Sequence, residues 1–287
     1  MGYLCTAWHG IERMRRGRVR NNFKQLRGRR LDQEALDKNL NLRGFLSPSI
    51  DFVRESLRGI YTKSFEEAES ASDAAQRSMM AAGAGLQEPH MLAALVFLQR
   101  TVRSCQAAVI LCERGLVVDA QTVTRSAAEA LFHGVALIND PSIFSRIARQ
   151  SDIDEKKQAE AMISTLADKG LTEQNIYDLS EVIRRGEGKA PGFSTHDAAR
   201  VAELMPIYDT LYRGLSGVAS HATFRSMDSS FQITDEQVAL ITGPTDQHLE
   251  LTLGLVGSCL KIATTTFQKS FVLMGDLKGQ DNCGSKT

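Results

Sequence analysis

The 287-residue chain has little tryptophan, little proline and no long apolar run, and each shortage removes a class of structure. Its longest uncharged late stretch, Leu251 to Leu260, is half of the ~20 residues that a bilayer crossing needs, so Leu249 to Met274, interrupted by Lys261 and Lys269, reads as a core helix. Met1 to Ile11 has no continuous apolar segment of the secretory kind. The five cysteines (Cys5, Cys105, Cys112, Cys259 and Cys283) are odd in number and lack Cys-x-x-Cys spacing, which speaks against a disulfide framework or a zinc ribbon and for a reducing cytoplasm. Cys105 and Cys112, two helical turns apart on an apolar face, read as core thiols. Nothing better than Cys5 with His9 offers metal ligands, and no cofactor motif appears. In Arg184 to Ser194 the pair Gly188-Lys189 imitates a phosphate loop. Ile183 and Ala190 stand where that motif needs Gly and Ser or Thr, so the stretch reads as a flexible loop. No Gly-x-Ser-x-Gly elbow is present.

Period-two alternation is also scarce, and what replaces it is helical. Five of the six prolines (Pro48, Pro89, Pro141, Pro206 and Pro244) stand where a missing N–H is harmless, at the starts of apolar-periodic segments. Between them apolar residues recur at three and four, as in Leu92, Leu95, Val96, Leu98, Val102, Cys105, Val109 and Cys112. The pattern predicts helices over 33–43, 48–80, 89–114, 117–138, 142–168, 172–185, 195–204, 206–222 and 246–275, with Gly115 and Gly170 as left-handed caps. One short β-hairpin is expected near 231–241. The fold class is therefore all-α, an irregular multi-helix bundle. A single helical domain over 31–287 is expected, within which 31–80 has room to be a semi-independent subdomain.

Formal charge balances overall but not locally. Residues 1–30 carry nine basic residues and one acid, about +8, leaving 25 basic and 33 acidic residues, −8, for the rest. Such an arm suits a nucleic-acid contact, an acidic partner, a membrane or organelle-targeting role, or a solvated tail folded on the acidic body. Trp8, the sole tryptophan, lies within it. Self-association is left open by the sequence.

Two polar constellations stand out. On the 117–138 helix, Arg125, Glu129 and His133 form a stripe flanked by Val118, Phe132, Val135 and Ala136, where burying an unpaired ion would cost several kcal/mol. Arg125 and Glu129 at i,i+4 suit either a structural pair that sets register or a pocket in which Arg125 holds an anion and Glu129 works as acid or base. Further on, Tyr208, Tyr212, Ser216 and Ser220 step by four along one strip, with Arg213 and Gly217 leading to His221. His221, Arg125 and Glu129 are candidate catalytic residues; Arg213, Tyr212 and Ser216 are candidate substrate-binding residues. The same residues equally suit helix contacts. His196, in Ser-Thr-His-Asp, belongs to a helix start that Ser194 or Thr195 caps.

Arg125-Ser126-Ala-Ala-Glu129, followed by Tyr212-Arg-Gly-Leu215-Ser216 and Ser220-His221, resembles a bacterial family of helical proteins known only as a domain of unknown function. The similarity spans roughly residues 90–275. A looser similarity is to the HEPN group, in which Arg and His on one helix cleave RNA; it implies a ribonuclease or nucleotide-acting role in stress or phage defence. Here seven residues separate Arg125 from His133 and Arg213 from His221, longer than the usual spacing of that group. The alternative is a non-catalytic helical interaction module with a polar Arg/Glu cluster.

Overall fold

The computed structural model describes residues 33–82, 88–166, 169–188, 192–217, 224–227, 230–233 and 238–272. In chain order the elements are α1 (Gln33–Arg43), α2 (Ile50–Ile60), α3 (Thr62–Ala82), α4 (Pro89–Cys112), α5 (Val117–Asn139), α6 (Ile143–Leu166) and α7 (Glu173–Arg185). Then come α8 (Thr195–Val201), α9 (Met205–Ile207), a π turn (Tyr208–Tyr212), α10 (Arg213–Leu215) and α11 (Phe224–Met227). Strands β1 (Phe231–Ile233) and β2 (Val238–Leu240) precede α12 (Leu249–Phe267) and a closing π turn (Gln268–Val272). The protein is an all-α, multi-helix fold. The two three-residue strands pair antiparallel, Phe231 opposite Leu240 and Ile233 opposite Val238. The basic arm lies outside the described residues.

Helices α3, α4, α5 and α12 enclose the core. Pro89 occupies the first turn of α4, where its missing N–H goes unused. Small residues (Ala94, Ala108, Ala120, Ala127) are buried along the α4–α5 seam, and the short connection between the helices makes them an antiparallel hairpin. At that seam the buried Thr101 hydroxyl lies 3.1 Å from the carbonyl of Phe97 and 3.2 Å from that of Ala127 across the interface, so burial leaves no orphaned donor. Helix α12 is held to α5 by a buried bond from Gln121 Nε2 to Thr252 Oγ1, 3.2 Å. Tyr61 bonds Asp246 before the start of α12, and Gln268 reaches Ser78 near its end, so α3 and α12 run in the same direction. Phe65, Leu98, Leu131, Phe132, Leu260 and Phe267 fill the space between. Among the described residues α4 alone has the length and mean hydropathy of a membrane-crossing helix. Its Ala94, Leu98, Val102, Cys105, Ala108 and Cys112 are buried against neighbouring helices, and it carries Arg100 and Arg103.

Several boundaries differ from the periodicity reading; the helix expected over 195–204 ends at Val201, and Glu203 beyond it is left-handed (φ 58°). The helix expected over 48–80 breaks at Tyr61 (φ −108°, ψ 30°), and the hydroxyl of Thr62 turns back to the carbonyls of Arg58 and Gly59 that the break exposes. The last helix begins at Leu249, because His248 takes a left-handed conformation (φ 65°) and stops propagation towards Asp246. The segment 206–222 is a π turn between two short α segments over 205–215, and 218–222 lies outside the described residues. Gly115 (φ +75°) and Gly170 (φ +108°) have the left-handed geometry expected of caps. Gly115 is doubly constrained: a Cβ there would sit 2.7 Å from that of Pro244, and Thr245 N donates to its carbonyl at 3.1 Å.

Helices α6 and α7 form a second hairpin with few buried residues. Arg149 of α6 donates to the carbonyls of Arg185, Gly186, Glu187 and Gly188 at 2.6–3.3 Å, satisfying the end of α7. The stretch read as a flexible loop is thus anchored where it is described; 189–191 lie outside the described residues.

Candidate functional site

Arg125 points from α5 towards the chain that follows α8. Its Nε donates to Ser216 Oγ at 2.7 Å and one terminal nitrogen donates to the Tyr212 hydroxyl. The other lies 3.5 Å from Glu129 Oε2, a looser contact that fits the less favourable Arg-before-Glu order. The guanidinium carbon also sits 4.3 Å from the centroid of the Tyr212 ring, within cation–π range. The π turn positions these groups: Arg213 N donates to Tyr208 O, one residue further back than in an α-helix. Tyr208 and Tyr212 stack at 5.1 Å, and Phe132 meets Tyr212 edge-on at 6.0 Å. Burial pushes the Tyr212 hydroxyl above its ordinary pKa, and the charge of Glu129 pushes the same way. The phenol therefore stays protonated and donates towards Glu129 Oε2 at 3.5 Å.

Glu129 faces two ways. Its Oε1 accepts from Thr195 Oγ1 at 3.3 Å, so Ser194 is left to cap α8, which it does in a reciprocal capping box with Asp197. Its other side lines a cleft of about 240 Å³ between α4, α5, α6 and the 192–193 segment. His133, one turn along α5, lines the same cleft, its ring between Phe97 (5.4 Å) and Phe193 (5.9 Å). His133 Nδ1 lies 2.9 Å from the carbonyl of Glu129. A carbonyl only accepts, so Nδ1 holds the proton and Nε2 of the neutral ring remains an acceptor. The far wall is fixed by Gln150, which accepts from Phe193 N at 3.2 Å and donates to Asp154 at 2.9 Å. Gly192 lets the chain lie this close, since a Cβ there would collide with Gln150 Oε1.

The fold thus brings together Arg125, Glu129, Tyr212 and Ser216. Arg213 stands apart, two-thirds exposed and paired with Asp209 at 3.5 Å. His221 lies outside the described residues. His196 sits in the first turn of α8 with its ring edge-on to Tyr208 at 5.3 Å. Cys105, Cys112 and Cys259 are buried and unpaired; burial pushes the Cys112 thiol up to about 12, and Cys105 is raised by its contact with Cys259 and by burial. Among the described residues no three His, Cys, Asp or Glu side chains converge as metal ligands.

Residues 91–238 match a family of unknown function, DUF5677, over just more than half of the chain. The chain belongs to the DUF5677 family. The matched stretch runs from the first turn of α4 to the first residue of β2, so the family region contains Arg125, Glu129, Tyr212, Ser216 and the cleft, while α1–α3 and α12 lie beyond it. Comparison with curated proteins gives no match, and comparison with solved structures gives none.

Sequence spacing singled out the Arg125 group but missed two features beside it. The cleft walls Phe97, Arg100 and Phe193 come from segments whose proximity no local pattern reveals. Glu113, at the end of α4, accepts from Arg54 (2.9 Å), Arg58 (2.8 Å) and Arg114 (3.0 Å) with its side chain only 8% exposed. Arg54 and Arg58 at i,i+4 on α2 were the available signal, since two like charges on one face call for a shared acid.

Proposed function

We propose that this DUF5677 protein is a non-catalytic helical interaction module, in which the Arg125–Glu129–Tyr212–Ser216 cluster locks the 205–217 segment onto α5. One observation carries the reading: each guanidinium nitrogen of Arg125 is engaged within the chain, and one face is covered by Tyr212. An arginine recruited to bind phosphate keeps one edge of its fork free. The unpaired buried thiols suit the reducing cytoplasm, and the arm of residues 1–30 would recruit an acidic partner or nucleic acid by charge. Residues 31–287 would act as one unit, with α3 bound to α12 through Tyr61–Asp246 and Ser78–Gln268.

A second reading, an RNA- or nucleotide-acting protein of HEPN type in bacterial defence, is favoured by one observation. Tyr212 and Ser216, which precede His221 in the same stretch of sequence, both meet Arg125, so a phosphate-holding group and hydroxyls able to pass a proton are neighbours. Replacing Arg125 by Met separates the two. The module reading expects a loss of about 2 kcal/mol in chemical denaturation, from two hydrogen bonds and a cation–π contact, and single-stranded RNA left intact by the unmodified chain. RNA cleavage abolished by the substitution without a change in melting temperature would instead establish the second reading.

A further inference from the structure

The cleft beside the cluster is lined by more hydrogen-bond acceptors than donors, with Arg100 as the cation in its wall. Glu129 and Asp154 offer carboxylates, His133 Nε2 is an acceptor without a protein partner among the described residues, and Ser126 has spent its hydrogen on Thr122 O. Gln150 accepts from Phe193 N and spends one N–H of its amide on Asp154, which leaves it a single N–H. The contacts to Glu129, at 3.3, 3.5 and 3.5 Å, are all long, so the carboxylate, 40% exposed, has accepting capacity left over. Asp154 is held ionised by hydrogen bonds from Gln150 and Lys157. Between these acceptors stand Phe97 and Phe193, and the Phe193 ring already stacks with one cation, the Arg146 guanidinium, at 5.0 Å. An acceptor-rich, aromatic-walled cleft selects a donor-rich, positively charged guest.

We propose that the cleft between α4, α5 and α6 binds a small organic monocation, a primary ammonium or amidinium on an aromatic or short aliphatic body. The charged head takes Glu129 and His133 Nε2, and the body lies along Phe97 and Phe193. The volume, about 240 Å³, suits a compact guest rather than a nucleotide. Arg100 lines the cleft, exposed and without an ion pair among the described residues, and opposes a second positive charge on the guest. The guest shares Glu129 with the Arg125 cluster, whereas His133, Phe97 and Phe193 stand outside it, so His133→Phe tests the cleft apart from the reading of the cluster.

Titration of the full chain with benzylammonium, followed by calorimetry and by amide chemical shifts, tests the proposal, with benzyl alcohol as the uncharged analogue and spermidine as the polycation. Benzylammonium is expected to bind about tenfold more tightly than the alcohol, with spermidine no tighter than benzylammonium. His133→Phe keeps the ring contacts but removes Nε2, and Glu129→Gln removes the charge; each is expected to weaken benzylammonium about tenfold while the alcohol is unaffected. Ser126→Leu, which fills the cleft, is expected to abolish binding of both. Equal affinity for amine and alcohol, binding that survives Ser126→Leu, or no binding by the folded chain would overturn the proposal. Should Glu129→Gln disturb folding, His133→Phe carries the test alone, because its ring stays in place.

Discussion

Glu113 and Glu129 both sit on the α4–α5 hairpin and both meet arginine, yet they do opposite things with their charge. At Glu113 the carboxylate is the hub: three guanidinium groups from α2 and the α4 terminus converge on a side chain 8% exposed, and Arg58 is held a second time by Glu69. At the other site the arginine is the hub. Arg125, 20% exposed, spends its strong bonds on two neutral hydroxyls and leaves Glu129, 40% exposed, with one ion contact at 3.5 Å. A carboxylate at the centre of a cluster is consumed by the fold, whereas one at its edge keeps part of its field for a guest. Position within the cluster, more than the residue types in it, separates a clamp from a candidate binding group.

The comparison breaks most easily at the clamp. Glu113→Gln leaves three part-exposed arginines sharing a neutral acceptor on a nearly buried side chain, and the expected loss is about 3 kcal/mol in urea denaturation. Glu129→Gln removes a half-exposed charge with a single loose partner, and its expected cost is below about 1 kcal/mol. Equal losses from the two changes would show that both clusters serve the fold alike. The clamp end has a further anchor in the Gly115–Pro244 contact. Gly115→Ala forces a side chain onto a left-handed backbone and against Pro244, with an expected cost of about 2 kcal/mol by the same measurement.

What could be read beforehand follows from the range of the interactions. Apolar periodicity and the helix-start prolines are local, and they located the long helices to within a few residues because each signal is complete inside one element. The i,i+4 step that linked Arg125 to Glu129 and Tyr212 to Ser216 is local too; that these two pairs meet is tertiary, and it came into view only through their resemblance to a family pattern. The break at Tyr61 and the turn at His248 went unseen because long-range partners set them, Tyr61 through Asp246 and the 244–245 segment through Gly115. His133 was set below His221 because only His221 belongs to the family pattern; that His133 lines the cleft could not be read locally, since Phe193 reaches its ring from 60 residues away.

The smallest effect concerns pH and also belongs to the clamp end. Burial holds the pKa of His248 below the ordinary histidine value, so the native ring resists protonation while the unfolded one accepts it. Between the two pKa values the unfolded state binds more protons, and stability therefore rises with pH. The contribution is fully present above the unfolded value of about 6.5 and is lost as pH falls through the folded one. His248→Asn removes the titration and keeps a residue that tolerates φ 65°. Melting followed from pH 7.5 down to about pH 5 should show a shallower decline for the variant, by about 1–2 °C in Tm, because partial exposure of the ring screens the effect. The same variant should leave benzylammonium binding untouched, since His248 is not among the residues of the cleft. An unchanged slope would mean that burial of the His248 ring does not set the acid sensitivity of this end.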